Sequence, residues 1–186
     1  MWSKTLLLAG AASLSVLGFN PSEAQDRPYG FGHPATPVEI AAWDIDVRSD
    51  GVGLPTGRGT VAEGEKIFAE TCSGCHLDGG TKPFAAGLDV LVGGRGSLNT
   101  NKPLKTIGSY WPTATTLFDY IRRAMPFTAP QSLTNDQVYA LTAYLLNRNG
   151  VIPADVVLDA TSLPTVQLPN RAGFIDRDDW RTPKKP

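Results

Sequence analysis

The chain has 186 residues, 41% hydrophobic and 19% charged, with 17 Lys+Arg against 18 Asp+Glu and a formal net charge of −1. That length holds one domain, or one domain with extensions, and the balanced charge gives no reason to expect a nucleic-acid partner. The apolar content excludes a collagen-like or wholly disordered chain, whereas 19 Gly and 15 Pro predict long irregular segments around a modest core.

The first 24 residues read as an export signal. Lys4 supplies a positive start, Thr5 to Phe19 is uncharged and mostly apolar, and Ser22 and Ala24 are the small residues of a cleavage site. Cleavage after Ala24 is expected, with general secretion as the route, since no twin arginine precedes the apolar run. An uncleaved anchor is the alternative, and the run is short of the roughly 20 residues that span a bilayer. No later segment is long and apolar enough to cross a membrane, so the mature chain is expected to have no membrane span.

Residues 25–58, punctuated by Pro28, Pro34, Pro37 and Pro55, read as an irregular N-terminal arm with one helical turn at Pro37–Trp43. Residues 59–150 hold the helical signals. Thr60-Val61-Ala62-Glu63 has the form of a capping box, and Gly64, Ile67, Phe68 and Thr71 continue at helical spacing, which predicts a helix to about Cys75. Residues 77–112 are rich in Gly, Pro and Asn and predict a long loop of the kind that carries function. A second helix is expected from about Thr113, with Leu117, Ile121 and Ala124 on one face and Pro126 as its stop. A third opens at the capping box Thr134-Asn135-Asp136-Gln137 and ends before Gly150, placed for a left-handed cap. Residues 151–186 form an irregular C-terminal arm. Its Phe174 and Trp180, with Trp43 of the other arm, are expected to bury against the core or a partner. The expected fold is thus all-α, three or more helices with an arm at each end.

Two cysteines are too few for a disulfide framework, and their placement is specific: Cys72-Ser73-Gly74-Cys75-His76 is C-x-x-C-H, the form of a c-type haem attachment site. Two thiols about one helical turn apart can each add to one vinyl group of a haem, and the adjacent His76 is then placed beneath the iron as an axial ligand. Its other ring nitrogen is ordinarily tied to a backbone carbonyl. Two competing readings are a thioredoxin-like dithiol, which wants a βαβ context that does not precede it, and half a zinc site, which lacks a second cysteine pair. The expected cofactor is one covalent haem c.

For the opposite face of the iron, a thioether raises the reduction potential. The chain has two methionines, Met1 leaves with the signal, and Met125 remains. A core methionine filling a gap is the structural alternative. His33, the one other histidine, offers bis-His ligation from the arm, and an open sixth site would suit a peroxidase or gas sensor. Tyr110 and Trp111 are candidate cofactor-binding residues through phenol and indole donors, or else buried core aromatics. Arg122 and Arg123 either neutralise haem propionates, face a partner or form a solvated helix face, and Lys82, Lys102 and Lys105 are expected to be simply solvated.

Gly64-x-x-x-Phe68-x-x-x-Cys72-x-x-Cys75-His76, Met125-Pro126 and Leu133-Thr134 with Leu141-x-x-Tyr144-Leu145 resemble the class I cytochromes c in order. Lys105 to Pro112, Phe118 to Phe127, Ala41-Ala42-Trp43-Asp44-Ile45 and Leu168-Pro169-Asn170-Arg171 are similar, more closely, to the cytochrome subunit of the sulfur-oxidising (Sox) sulfane dehydrogenases. The similarity covers most of residues 30–175. It implies a small cytochrome c fold whose first and last helices cross, Gly64 allowing the approach and Tyr144 packing nearby. It also implies a periplasmic subunit that takes electrons from a molybdenum-cofactor dehydrogenase subunit oxidising sulfite or sulfane sulfur, and passes them to a downstream cytochrome. The chain would not be catalytic alone. A general electron shuttle and a haem peroxidase are the other functional readings. Some members of that subunit family carry two haems, whereas one C-x-x-C-H here can attach one. Members of the class often place a proline where Asp89 precedes Val90-Leu91-Val92-Gly93-Gly94, and its carbonyl receives the histidine proton.

Overall fold

A computed structural model describes residues 31–83 and 90–175. Residues from Pro37 onward belong to one compact unit, and residues 31–36, which include His33, lie outside it. The expected signal and its cleavage site, Asp89 and Trp180 all fall outside the described residues.

Among its described residues the unit has five α-helices and very little strand. These are α1 (Pro37–Trp43), α2 (Val61–Ile67), α3 (Leu77–Gly80), α4 (Ala114–Ala124) and α5 (Asn135–Arg148). Strands β1 (Arg58–Thr60) and β3 (Val157–Asp159) pair antiparallel, Gly59 opposite Leu158, and β2 (Lys82–Pro83) bridges back to His76 and Leu77. Among the described residues no helix is long and apolar enough to cross a membrane.

The helix starts are where the capping chemistry places them. Glu63 N–H donates to Thr60 Oγ1 at 3.2 Å while the Glu63 carboxylate accepts the Thr60 N–H at 2.8 Å. The Thr60 hydroxyl, which donates to the Glu63 carboxylate at 2.7 Å, and then the Thr60 N–H hold the Glu63 carboxyl below its ordinary pKa. Thr134 and Gln137 repeat the arrangement at α5, with the Thr134 N–H donating to Gln137 Oε1 at 2.8 Å. Thr113 caps α4 by accepting the Thr116 N–H, and the helix gives way at Met125, whose extended backbone precedes Pro126. Gly150, at φ +65°, follows α5 in the left-handed conformation expected of it.

The first helix departs from expectation. Instead of running regularly to Cys75, α2 widens after Ile67 into a π turn over Phe68–Cys72, and the Ser73 N–H reaches back five residues to the Phe68 carbonyl at 2.9 Å. Ser73 Oγ also donates to the Ala69 carbonyl at 2.6 Å, so the turn is closed by side chain and backbone together. Such bulges re-aim the residues that follow them, here the two cysteines.

Helices α2 and α5 cross at Gly64. A Cβ there would run into the Ala140 carbonyl and lie 2.7 Å from Tyr144 Cβ, so this approach admits only glycine. Phe68 and Tyr144 stack beside the crossing with centroids 5.1 Å apart. Phe118 of α4 meets Tyr139 of α5 at 4.5 Å, and both are fully buried with Val138, Leu141 and Leu146.

The arms are less irregular and less separate than their sequence suggests. Leu158, Leu163 and Leu168 from beyond residue 150 are buried in the same core, as is Val47 from before residue 58. The Val47 N–H donates to Asp119 Oδ1 at 2.8 Å, and Arg122 donates to the Ile45 carbonyl at 2.8 Å, fastening this stretch along α4. Trp43 is different: α1 buries none of its residues and this indole is 86% exposed, so the expected burial against the core does not occur.

Candidate haem site

A cavity of about 670 Å³ opens between α2, α4, α5 and the long loop, within the usual range for small-molecule and cofactor sites. Phe68, Cys72, Cys75 and His76 line it from the end of α2 and the turn that follows. Leu91, Thr106 and Ile107 close it from the loop, Leu117, Tyr120 and Ile121 from α4, and Leu141 and Leu145 from α5. Met125, Pro126 and Phe127 complete the wall where α4 ends. Of the residues singled out from sequence, Cys72, Cys75, His76, Tyr110, Trp111 and Met125 meet here.

Local structure explains the placement. The π turn sets Cys72 half-buried and Cys75 exposed, one turn apart, on the side facing the cavity. Asp78 and Gly79 then take left-handed backbone (φ 52° and 65°), which folds the chain back so that Pro83 bridges to His76. The loop opposite is stapled rather than slack. Asn149, just past α5, accepts the Gly93 N–H at 3.2 Å and donates to the Leu91 carbonyl at 3.2 Å. The Leu91 and Val92 N–H groups donate to the Gly80 carbonyl at 2.9 and 3.1 Å, joining the loop to the segment that follows His76. Met125 is delivered by the end of α4, where the extended backbone before Pro126 turns the chain out of the helix.

The electrostatics suit a covalent prosthetic group. Burial pulls the His76 imidazole below its ordinary pKa, so it is neutral and able to offer a nitrogen lone pair at physiological pH. Its Nδ1 is buried with no hydrogen-bond partner among the described residues. Burial, reinforced by Cys75, pushes the Cys72 thiol up to about 11. A dithiol that works by redox exchange needs a depressed thiol pKa, so this environment disfavours the thioredoxin-like reading. No group of three or more His, Cys, Asp or Glu that could hold a metal ion occurs among the described residues, which leaves the half-zinc reading without its complement. Two thiols, a neutral imidazole and a thioether on the walls of one apolar cavity are the donor set that a c-type haem requires.

Other wall residues were legible only as members of the resembling stretches: Leu91 in Val90–Gly94, Thr106 and Ile107 in Lys105–Pro112, Tyr120 and Phe127 in Phe118–Phe127, and Leu133 beside Thr134. Tyr110 and Trp111 share the wall with different surroundings. Trp111 stands edge-on to Tyr120 at 5.8 Å, while Tyr110 is partly exposed and lies under the Lys105 ammonium, 4.8 Å from its ring centroid. Lys105 thus stands on the cavity wall rather than being merely solvated. Arg122 and Arg123 point elsewhere. Arg122 is bound to Ile45, and Arg123 forms a two-pronged ion pair with Asp119, its Nε 2.9 Å from Oδ1. Neither lines the cavity.

Comparison with known proteins agrees with this geometry. Residues 59–145 match the family model described as cytochrome c oxidase, cbb3-type, subunit III. No curated protein matches the chain. Among solved structures, a chain in the crystal structure of the sulfane dehydrogenase SoxCD from Paracoccus pantotrophus is similar, with 45% identity and a TM-score of 0.74. The match covers 83% of this chain and 75% of that one. With its crossed helices, its C-x-x-C-H turn and its apolar cavity, the chain belongs to the class I c-type cytochromes, an electron carrier with covalently bound haem c related to the sulfane dehydrogenase component.

Proposed function

We propose that this protein is a periplasmic monohaem electron-transfer subunit, in which Cys72 and Cys75 tether the haem and His76 and Met125 are its axial ligands. The observation that carries the reading is the convergence of both cysteines, His76 and the one methionine other than Met1 on a single cavity. When bound, the haem supplies a one-electron Fe(III)/Fe(II) couple.

The chain's own residues make that couple usable. Burial keeps His76 unprotonated, and Met125 offers a soft thioether that favours the reduced metal. Phe68, Leu91, Ile107, Leu141 and Leu145 keep water from the pocket interior, which limits the solvent reorganisation that each electron transfer must overcome. Phe127, 84% exposed at the cavity mouth, gives a partner an apolar contact beside the route by which the electron enters or leaves.

The electron donor on this reading is a molybdenum-cofactor dehydrogenase subunit that oxidises sulfite or sulfane sulfur, and the acceptor is a downstream cytochrome. The likeness to a chain of a sulfane dehydrogenase supports the donor class. The apolar start of the sequence, with Ala24 as the cleavage point, supports export to the periplasm. The test is the optical spectrum of the ferric holoprotein. The weak red-end band of sulfur–iron charge transfer is expected in the parent and absent in Met125→Ala. A parent without it overturns the ligand assignment. For the partner, sulfite should reduce the cytochrome only when a molybdoenzyme subunit is present. Reduction by sulfite alone counts against the relay.

A further inference from the structure

Among the described residues that line the cavity, Lys105 is the one Lys, Arg, Asp or Glu. A haem brings two propionate carboxylates, and a carboxylate next to an apolar pocket needs a cation or hydrogen-bond donors to remain charged. Three arginines are held elsewhere and none of them lines the cavity. Arg95 donates to the Asn149 carbonyl at 3.1 Å, Arg122 to Ile45 and Arg123 to Asp119.

Lys105 is also held where it stands. Its chain neighbours are stapled: the Leu104 N–H donates to Ser97 Oγ at 2.9 Å, the Leu104 carbonyl accepts Ser109 Oγ at 2.6 Å, and the Thr106 N–H donates to Ser109 Oγ at 2.9 Å. Its ammonium rests over the Tyr110 ring, a cation–π contact that limits where the flexible side chain points. Tyr110 is in turn fastened by the C-terminal arm. Asn170 Nδ2 donates to the Tyr110 carbonyl at 2.7 Å, and the Phe174 ring packs on Tyr110 with centroids 5.3 Å apart. Leu168, buried in the core, anchors that arm two residues before Asn170.

We propose that Lys105 is the cation that pairs with the haem propionates and raises the tendency of the bound haem to accept an electron, and that the Leu168–Phe174 segment is a strap that holds the Lys105–Tyr110 pair in position. The inference rests on the haem occupying this cavity. A positive charge fixed beside the porphyrin favours the state that carries one electron more. The C-terminal arm, structureless in its sequence, thereby has a direct bearing on redox behaviour.

The experiment uses the full-length exported holoprotein, checked first for haem mass and for an unchanged red-end band. Its reduction equilibrium is then measured against a mediator couple at one low ionic strength for every variant, so that the exposed charge is not screened. Lys105→Gln is expected to lower the equilibrium constant for reduction about tenfold, the size of one unit charge acting across roughly 12 Å at an effective dielectric of about 20. Lys105→Arg should restore the parent value to within about twofold, because it keeps the charge. Phe174→Ala should shift the equilibrium in the same direction as Lys105→Gln but less, and Lys102→Gln, on the same loop but away from the cavity wall, should leave it unchanged. A Lys105→Gln protein that stays within twofold of the parent overturns the proposal, as does a Lys102→Gln effect of equal size. If Phe174→Ala has no effect, the strap is refuted. A parent protein without added haem mass refutes the haem reading itself and the proposal with it, an outcome distinguishable from an intact spectrum with an unmoved equilibrium.

Discussion

Replacing Gly64 with alanine sets two well-understood effects against each other. Inside α2 the change should help, since alanine is about 1 kcal/mol better than glycine in a helix interior. The crossing with α5 opposes it. The new methyl would overlap the Ala140 carbonyl and sit 2.7 Å from Tyr144 Cβ, where ordinary contacts are about 3.4–4 Å. The obstacle is backbone, not the end of a flexible side chain, so relief requires the two helices to part and to loosen the Phe68–Tyr144 contact beside them. Overpacking of this kind costs typically about 1–3 kcal/mol, and a backbone obstacle places it at the upper end. The net expectation is a loss of about 2 kcal/mol, equivalent to roughly 4–8 °C in Tm for a chain of this size. Guanidinium titration of the holoprotein, followed by far-UV circular dichroism, measures it. A Gly64→Ala protein as stable as the parent, or more so, would mean that helix propensity outweighs the crossing and that the close approach is not a constraint.

Two further substitutions test the packing of the arms. Leu158 is fully buried opposite Gly59, so Leu158→Ala should cost about 2–5 kcal/mol by urea titration, and a cost below about 1 kcal/mol would show the C-terminal arm to be outside the cooperative core. Tyr139 donates its hydroxyl to the Pro55 carbonyl at 2.9 Å, and burial, with Asp159 nearby, pushes its ionisation up to about 12. The unfolded chain ionises this tyrosine near pH 10, so its contribution is whole below that pH and is lost as the pH rises towards 12. Allowing for solvent screening near the hydroxyl, the loss is about 1–2 kcal/mol. Urea midpoints at pH 9 and pH 11 should therefore differ less in Tyr139→Phe than in the parent, and an equal difference in both would refute the linkage.

The features legible in the sequence were those written in a few neighbouring residues. The capping boxes at Thr60 and Thr134, the stop before Pro126 and the cap at Gly150 are local contests between side chain and backbone, and each appears in the structure where the residues place it. The C-x-x-C-H segment is equally local, and Met125, singled out by elimination among the methionines, lines the same cavity. Other features depended on partners far away in the chain. Nothing near Leu158 or Leu168 has the periodicity of an element, and their burial follows from β3 pairing with β1 and from the core already built by α4 and α5. Arg122 and Arg123 read alike in the sequence. Only the approach of Ile45 and Val47 across 77 and 72 residues decides that they and Asp119 fasten an arm instead of facing the cavity. The π turn after Ile67 and the position of Lys105 on the cavity wall belong to the same class. Local chemistry specified which groups the chain carries and where its helices begin and end. Which of those groups share a cavity was decided by packing between distant segments, because burial is a property of what the rest of the chain brings alongside.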